Sequence, residues 1–165
     1  MRYITDDIGT VVAAMRTVAD ADPYYFFGHR LSIANILLNK NIGHQLKYPM
    51  IALRLDTPED IVEGFQHYNL NIVIATQTKK DIRESERLTT YFKPILYPLY
   101  ESFMRELKKS GLFSWEGNQK YPPHTKTDRY FFGTTGAEAN EKYIFSDALD
   151  AIEITNLKIN STNKC

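Results

Sequence analysis

The chain is predicted to be an α+β protein: a mostly antiparallel sheet flanked by an N-terminal helix and a long Pro-kinked helix, with an extended loop before the last strands. Three observations predict it. Tyr48 to Leu55 is an apolar run bounded by polar residues. Tyr68, Leu70, Ile72 and Ile74 alternate with Asn69, Asn71, Val73 and Ala75, the period-two pattern of a strand with one dry face. Glu84 to Ser110 carries Leu88, Phe92, Leu96, Leu99, Phe103 and Leu107 at helical spacing. The connection between the two strands, Asp56 to Gln66, is short and polar, which implies antiparallel pairing because parallel neighbours need a longer crossover.

The remaining elements follow in chain order. Thr5, Asp6 and Asp7 are candidate N-caps of a first helix whose apolar stripe is Ile8, Val11, Val12, Met15 and Val18, ended by Asp22-Pro23. Tyr24-Tyr25-Phe26-Phe27-Gly28 reads as a hydrophobic anchor returning the chain to the core, or as an inter-subunit contact. His29 to Lys40 suits a short helix closed by Asn39, Asn41 and Gly43. In the long helix, Pro94 and Pro98 each remove an intrahelical hydrogen bond, so a kink or split is expected there. Gly111 suits the position just past the helix end, where Arg105, Lys108 and Lys109 complement the dipole.

From Leu112 to Lys142 the chain becomes loop-rich, with one strand expected at Arg129 to Phe132. Trp115, Tyr121-Pro122-Pro123-His124 and Tyr130-Phe131-Phe132 mark it as an ordered interaction loop. In the last element, Ala148 to Asn160, Ile152 and Ile154 have one parity and Leu157 and Ile159 the other, so a β-bulge is expected near Thr155-Asn156. Ser161 to Cys165 is a polar tail. The 165 residues fit one domain.

Composition narrows the function classes. The formal net charge is zero, so no global field favours nucleic acid or an anionic membrane. Residues 79–129 hold eleven Lys/Arg against seven Asp/Glu, a modestly basic middle. The single cysteine, Cys165, forms no intramolecular disulfide and no cysteine metal cluster, as suits a reducing compartment. The N-terminus lacks the apolar region of a signal peptide and no apolar run has the length of a membrane span, so a soluble chain made in the cytoplasm, with no membrane partner, is expected.

Catalytic, metal and cofactor-binding residues are all expected to be none. The phosphate-loop, dinucleotide, zincin, nucleophile-elbow and calcium-loop motifs are missing. His29, His44, His67 and His124 show no ligand spacing. Asp56, Glu59, Asp60 and Glu63 form the densest carboxylate group and read as solvated loop charges. Asp128, Asp147 and Asp150 flank the late strands, where a carboxylate-dependent hydrolase would need them to converge with a histidine. Lys79, Lys80, Arg83 and Arg87 open the long helix against its dipole. Arg83 and Arg87 are expected on the exposed face, paired with Glu84 and Glu86 or solvent, or meeting an acidic partner.

In its order of elements the chain resembles bacteriophage tail-completion or tail-terminator proteins, over about residues 4–160. The resemblance rests on Lys47-Tyr48-Pro49-Met50-Ile51-Ala52-Leu53, the Asn69-to-Ala75 strand, the helix bearing Tyr97-Pro98, and the closing Asp150-Ala151-Ile152-Glu153-Ile154. It implies a single tail-terminator-like domain over residues 1–165 and a structural virion protein without catalysis. Such a protein forms a ring, a hexamer or dodecamer, in the neck or tail that joins portal and head to tail. Its partners would be copies of itself and adjacent neck, portal or tail proteins, with DNA at most passing through the lumen. The excursion from Trp115 to Lys142 departs from typical members. Residues expected at partner interfaces are Trp115, Tyr121, Pro122, Pro123, His124, Tyr130, Phe131, Phe132, Tyr24, Tyr25, Lys79, Lys80 and Arg83. The alternatives are a small carboxylate-dependent hydrolase or a weak nucleic-acid-binding module built on Lys79 to Arg87 and Lys108-Lys109.

Overall fold

Strands β4 (Phe65–Gln77) and β7 (Leu149–Lys164) pair antiparallel along most of their length and form the spine of a curled seven-stranded sheet. The computed structural model describes residues 3–15, 23–29, 47–55, 59–62, 65–132 and 148–164. Most of the short helix expected from His29 to Lys40, the Gly133-to-Gly136 loop and Asp147 lie outside the described residues.

On one side of β4 lie β2 (Met50–Arg54) and β3 (Glu59–Val62), both antiparallel to it. The antiparallel pairing expected from the short connection is present, but that connection is not simply a loop. It contains β3, which folds back on Phe65 to Tyr68, so β4 starts earlier than its alternation indicates. β1 (Tyr24–Gly28) flanks β2 in parallel, with Tyr24 opposite Met50 and Gly28 opposite Arg54. The Tyr24-to-Gly28 run is therefore an edge strand as well as an anchor. Its consecutive aromatics hide the alternation that would have marked it.

The far side of β7 carries β5 (Phe113–Ser114) and β6 (Thr125–Phe132), both antiparallel. Against β4, Leu70 faces Leu157 and Ile72 faces Ile154, so β7 has one extra residue between them. Asn156 takes a φ of 55° there, and its N–H meets the Asn71 Oδ1 at 3.4 Å. This is the bulge expected from the parity switch.

The helices cover one face of the sheet. α1 (Ile4–Ala13) buries Ile8, Val11 and Val12. Its N-cap position is Tyr3, without a side-chain cap, rather than Thr5 or an aspartate; Asp6 and Asp7 stand in the first turn, where their charge still suits the dipole. Tyr25 packs against α1 at Gly9, where a Cβ would come within 3.1 Å of its ring. Its hydroxyl donates to the Thr5 carbonyl at 2.7 Å.

The long helix has three parts: α2 (Glu84–Arg87), a π-helical stretch (Leu88–Leu96) and α3 (Tyr97–Lys109). The expected proline distortion takes this form. Pro94 lies within the π-helical stretch and Pro98 in the first turn of α3, where a missing N–H costs little. Phe92, Leu96, Leu99, Phe103 and Leu107 are all buried against Ile51, Leu53, Leu70, Ile72, Ile74, Ile152, Ile154, Leu157 and Ile159. Ser110 ends the helix and Gly111 follows at a φ of 65°, the left-handed conformation glycine adopts without a Cβ penalty. On the other face of the sheet, Met50, Ala52, Val73, Ala75, Leu149 and Ala151 form a second buried cluster edged by Tyr24, Phe26, Tyr48 and Phe132.

Candidate functional site

Arg87 is fully buried, which corrects the expectation that it lies on the exposed face of the helix. An i to i+5 ladder follows it, so residues about five apart come into line, and Arg87 falls in line with the fully buried Phe92. All of its donors are used. Nη1 donates to Asp150 Oδ1 at 2.9 Å and to Thr78 Oγ1 at 3.0 Å. Nη2 donates to the Lys79 and Lys80 carbonyls at 2.7 and 3.2 Å, and Nε to the Ile82 carbonyl at 3.3 Å. A guanidinium carries five N–H donors, so this set is complete, and a lysine, with three, could not reproduce it.

The lid of this cradle is Phe131, whose ring centroid lies 3.6 Å from the Arg87 Cζ. Between Arg129 and Phe132, β6 carries one extra residue relative to β7, and Phe131 sits there at a φ of 54°. Left-handed backbone is costly for a bulky aromatic. Here it aims the Phe131 N–H at Asp150 Oδ1, 3.1 Å away, while the ring covers the guanidinium. Asp150 Oδ2 is buried with no hydrogen-bond partner among the described residues. The arrangement clamps helix, bend and two strands together. Both ionic partners are sealed from solvent, so it holds structure rather than substrate.

The described part of the aromatic excursion, residues 112–132, packs largely on its own chain. Tyr130 meets Phe92 at 4.6 Å between centroids, and Tyr121 packs beside the main core. Pro122 is buried. The His124 Nδ1 lies 2.7 Å from the Pro122 carbonyl, which can only accept, so Nδ1 carries the proton. The His124 Nε2 makes a second hydrogen bond, to the Tyr100 hydroxyl 2.7 Å away. Pro123 accepts from the Lys158 N–H at 3.0 Å. Phe132 and Tyr24 edge the second cluster and Tyr25 the first. Lys79, Lys80 and Arg83 are exposed; the carbonyls of Lys79 and Lys80, not their side chains, serve the Arg87 cradle.

Trp115 differs. Its indole N–H donates to the Gln119 carbonyl at 3.2 Å across a turn in which Gly117 has a φ of 83°. That fixes the ring at one wall of an open cleft of about 420 Å³. The cleft floor is the outer face of the sheet, where His67 pairs with Asn160 and Asn69 with Lys158. Asp60 of β3 and Glu116 stand at the walls. The Asn69 amide oxygen is buried there with no hydrogen-bond partner among the described residues.

Of the carboxylates considered for a hydrolase, Asp128 and Asp150 do not converge there, and Asp56 and Asp147 lie outside the described residues. Asp150 is enclosed with Arg87, and Asp128 accepts from the Tyr97 hydroxyl at 2.5 Å and from the Lys126 ammonium at 2.6 Å. Of the two basic groups considered for nucleic acid, Lys79 to Arg87 and Lys108-Lys109, the first has Arg87 buried, and the two sit at opposite ends of the long helix. Among the described residues no group of three or more His, Cys, Asp or Glu could hold a metal ion. No described helix is long and apolar enough to cross a membrane. The sequence matches no protein-family model, and no curated protein is significantly similar to it.

Tyr97 gives the site a pH dependence. Its bond to Asp128, then burial, then the charge of Asp128 push its pKa up to about 12. Burial first, then neighbouring charge, also raises Tyr100 and Tyr130. Above the ordinary tyrosine pKa of about 10, the unfolded chain releases protons that the folded chain retains, so stability falls as pH rises. For Tyr97 the window is about pH 10 to 12. Tyr97→Phe should flatten the alkaline slope in urea unfolding curves measured across that range; an unchanged slope would remove Tyr97 from the cause.

Proposed function

We propose that the chain is a structural virion protein, a subunit of a ring in the phage neck or tail that joins portal and head to tail. The observation that carries the reading is a free apolar margin of the sheet. Phe27 is 45% exposed, Leu55 41%, Ile61 66% and Val62 53%, and all four lie on β1, on β3 or at the end of β2. β2 and β3 follow each other along one edge of β4, while β1 flanks only β2. An exposed apolar strand edge is a liability in a monomer and an asset where a neighbour covers it. A margin that meets a different surface of the next copy makes a heterologous contact, the kind that closes rings. Zero formal net charge sets no like-charge barrier between copies.

In this reading β3 and the end of β1 carry the subunit contact, more than the aromatic excursion. Ile61→Asp should abolish ring species while shifting monomer stability by no more than about 0.5 kcal/mol, because the side chain is exposed. Light scattering after size exclusion, with and without adjacent neck proteins, measures the first effect, and urea unfolding the second. Rings that persist in Ile61→Asp and in Val62→Asp would place the contact elsewhere.

A further inference from the structure

The cleft beside Trp115 is separate from the Arg87 cradle and touches the strands of the proposed ring contact only at Asp60 of β3. Its chemistry is uneven in an informative way. One wall is an indole pinned by its N–H to Gln119. Beside it stands the Glu116 carboxylate, and the rest of the lining adds the Asp60 carboxylate of β3 and the Asn69 and Asn160 amides. His67 and Lys158 add donors. An apolar ligand would strip water from all these groups without replacing it. An anion would face two carboxylates at close quarters. A ligand with many hydroxyls on one edge and an apolar C–H face on the other meets both requirements.

We propose that this cleft binds a saccharide unit, with the sugar's C–H face against Trp115 and its hydroxyls donating to Asp60 and Glu116. The cleft, about 420 Å³, lies within the range of small-ligand sites. The two exposed carboxylates supply the specificity, since each can accept from more than one hydroxyl. The site is built within one chain and does not depend on the ring.

Trp115 is the only tryptophan in the chain, so its emission reports on the cleft directly. Titration with a panel of methyl hexosides and N-acetylhexosaminides should give a saturable change with a dissociation constant of order 1 mM for at least one sugar. Glu116→Gln, at an exposed position, should weaken that sugar about fivefold without lowering the thermal midpoint, because only a charged acceptor is lost. Asp60→Asn, on an exposed strand, should weaken it about fivefold by removing a charged acceptor. No saturable response up to about 100 mM, two decades above the expected constant, would overturn the assignment. So would unaltered affinity in both variants, or a response to spermidine and to no sugar, which would make the cleft a cation site.

Discussion

Arg87→Ala should destabilise the fold by about 3–5 kcal/mol, because it leaves Asp150 charged, buried and unpaired. The thermal midpoint should drop by roughly 10 °C in a chain of this size. Arg87→Lys should recover only part of the loss, since three donors cannot reach Thr78, Asp150 and three carbonyls together. The joint replacement Arg87→Met with Asp150→Leu should be far milder than either single change, because it removes both buried charges at once. Equilibrium urea unfolding of the single and double variants checks this. A single-variant loss below about 1 kcal/mol, the value typical of an exposed pair, would show that the clasp is open to water.

The second large effect is expected at Phe92. It is fully buried in the π-helical stretch, with its ring 4.6 Å from that of Tyr130 and 5.9 Å from that of Tyr97. Phe92→Ala should cost about 3–5 kcal/mol through lost burial and the cavity left behind. A double-mutant cycle with Tyr130→Leu should give a coupling of about 0.5–1.5 kcal/mol, the part specific to the aromatic pair. Near-zero coupling in urea unfolding would mean that β6 and the helix are held together by burial alone.

Residues with a strong period could be read from the sequence. Leu88 to Leu107 announced a helix with one dry face, Tyr68 to Ile74 a strand, and the parity change between Ile154 and Leu157 a bulge that the register shows. Arg87 could not be read that way, since its burial depends on how a π-helical stretch turns the helix and on a carboxylate 63 residues away. β1 was masked by four aromatics in succession, and β3 by its length of four residues, two acidic and two apolar, inside a polar connection. The tendency of aromatics to bury is the same in a core as in an interface, so Tyr121 and Tyr130 gave no sign that their partners lie in their own chain. The Trp115 cleft is assembled from β3, β4, β7 and the turn after β5. Its traces in the sequence were Trp115 and Pro123 in the loop-rich excursion and Asn69 on the wetter face of an apolar strand, which mark an outer surface without saying what it holds.

The functional reading turns on whether the apolar margin meets another copy. Imaging of the purified chain, alone and with the neck proteins that the proposed role would give it as partners, measures that most directly. The expected result is closed rings of six or twelve subunits, with β1 and β3 at the subunit boundary and no rings for Ile61→Asp. A chain that stays monomeric in both conditions and is missing from assembled particles would contradict it.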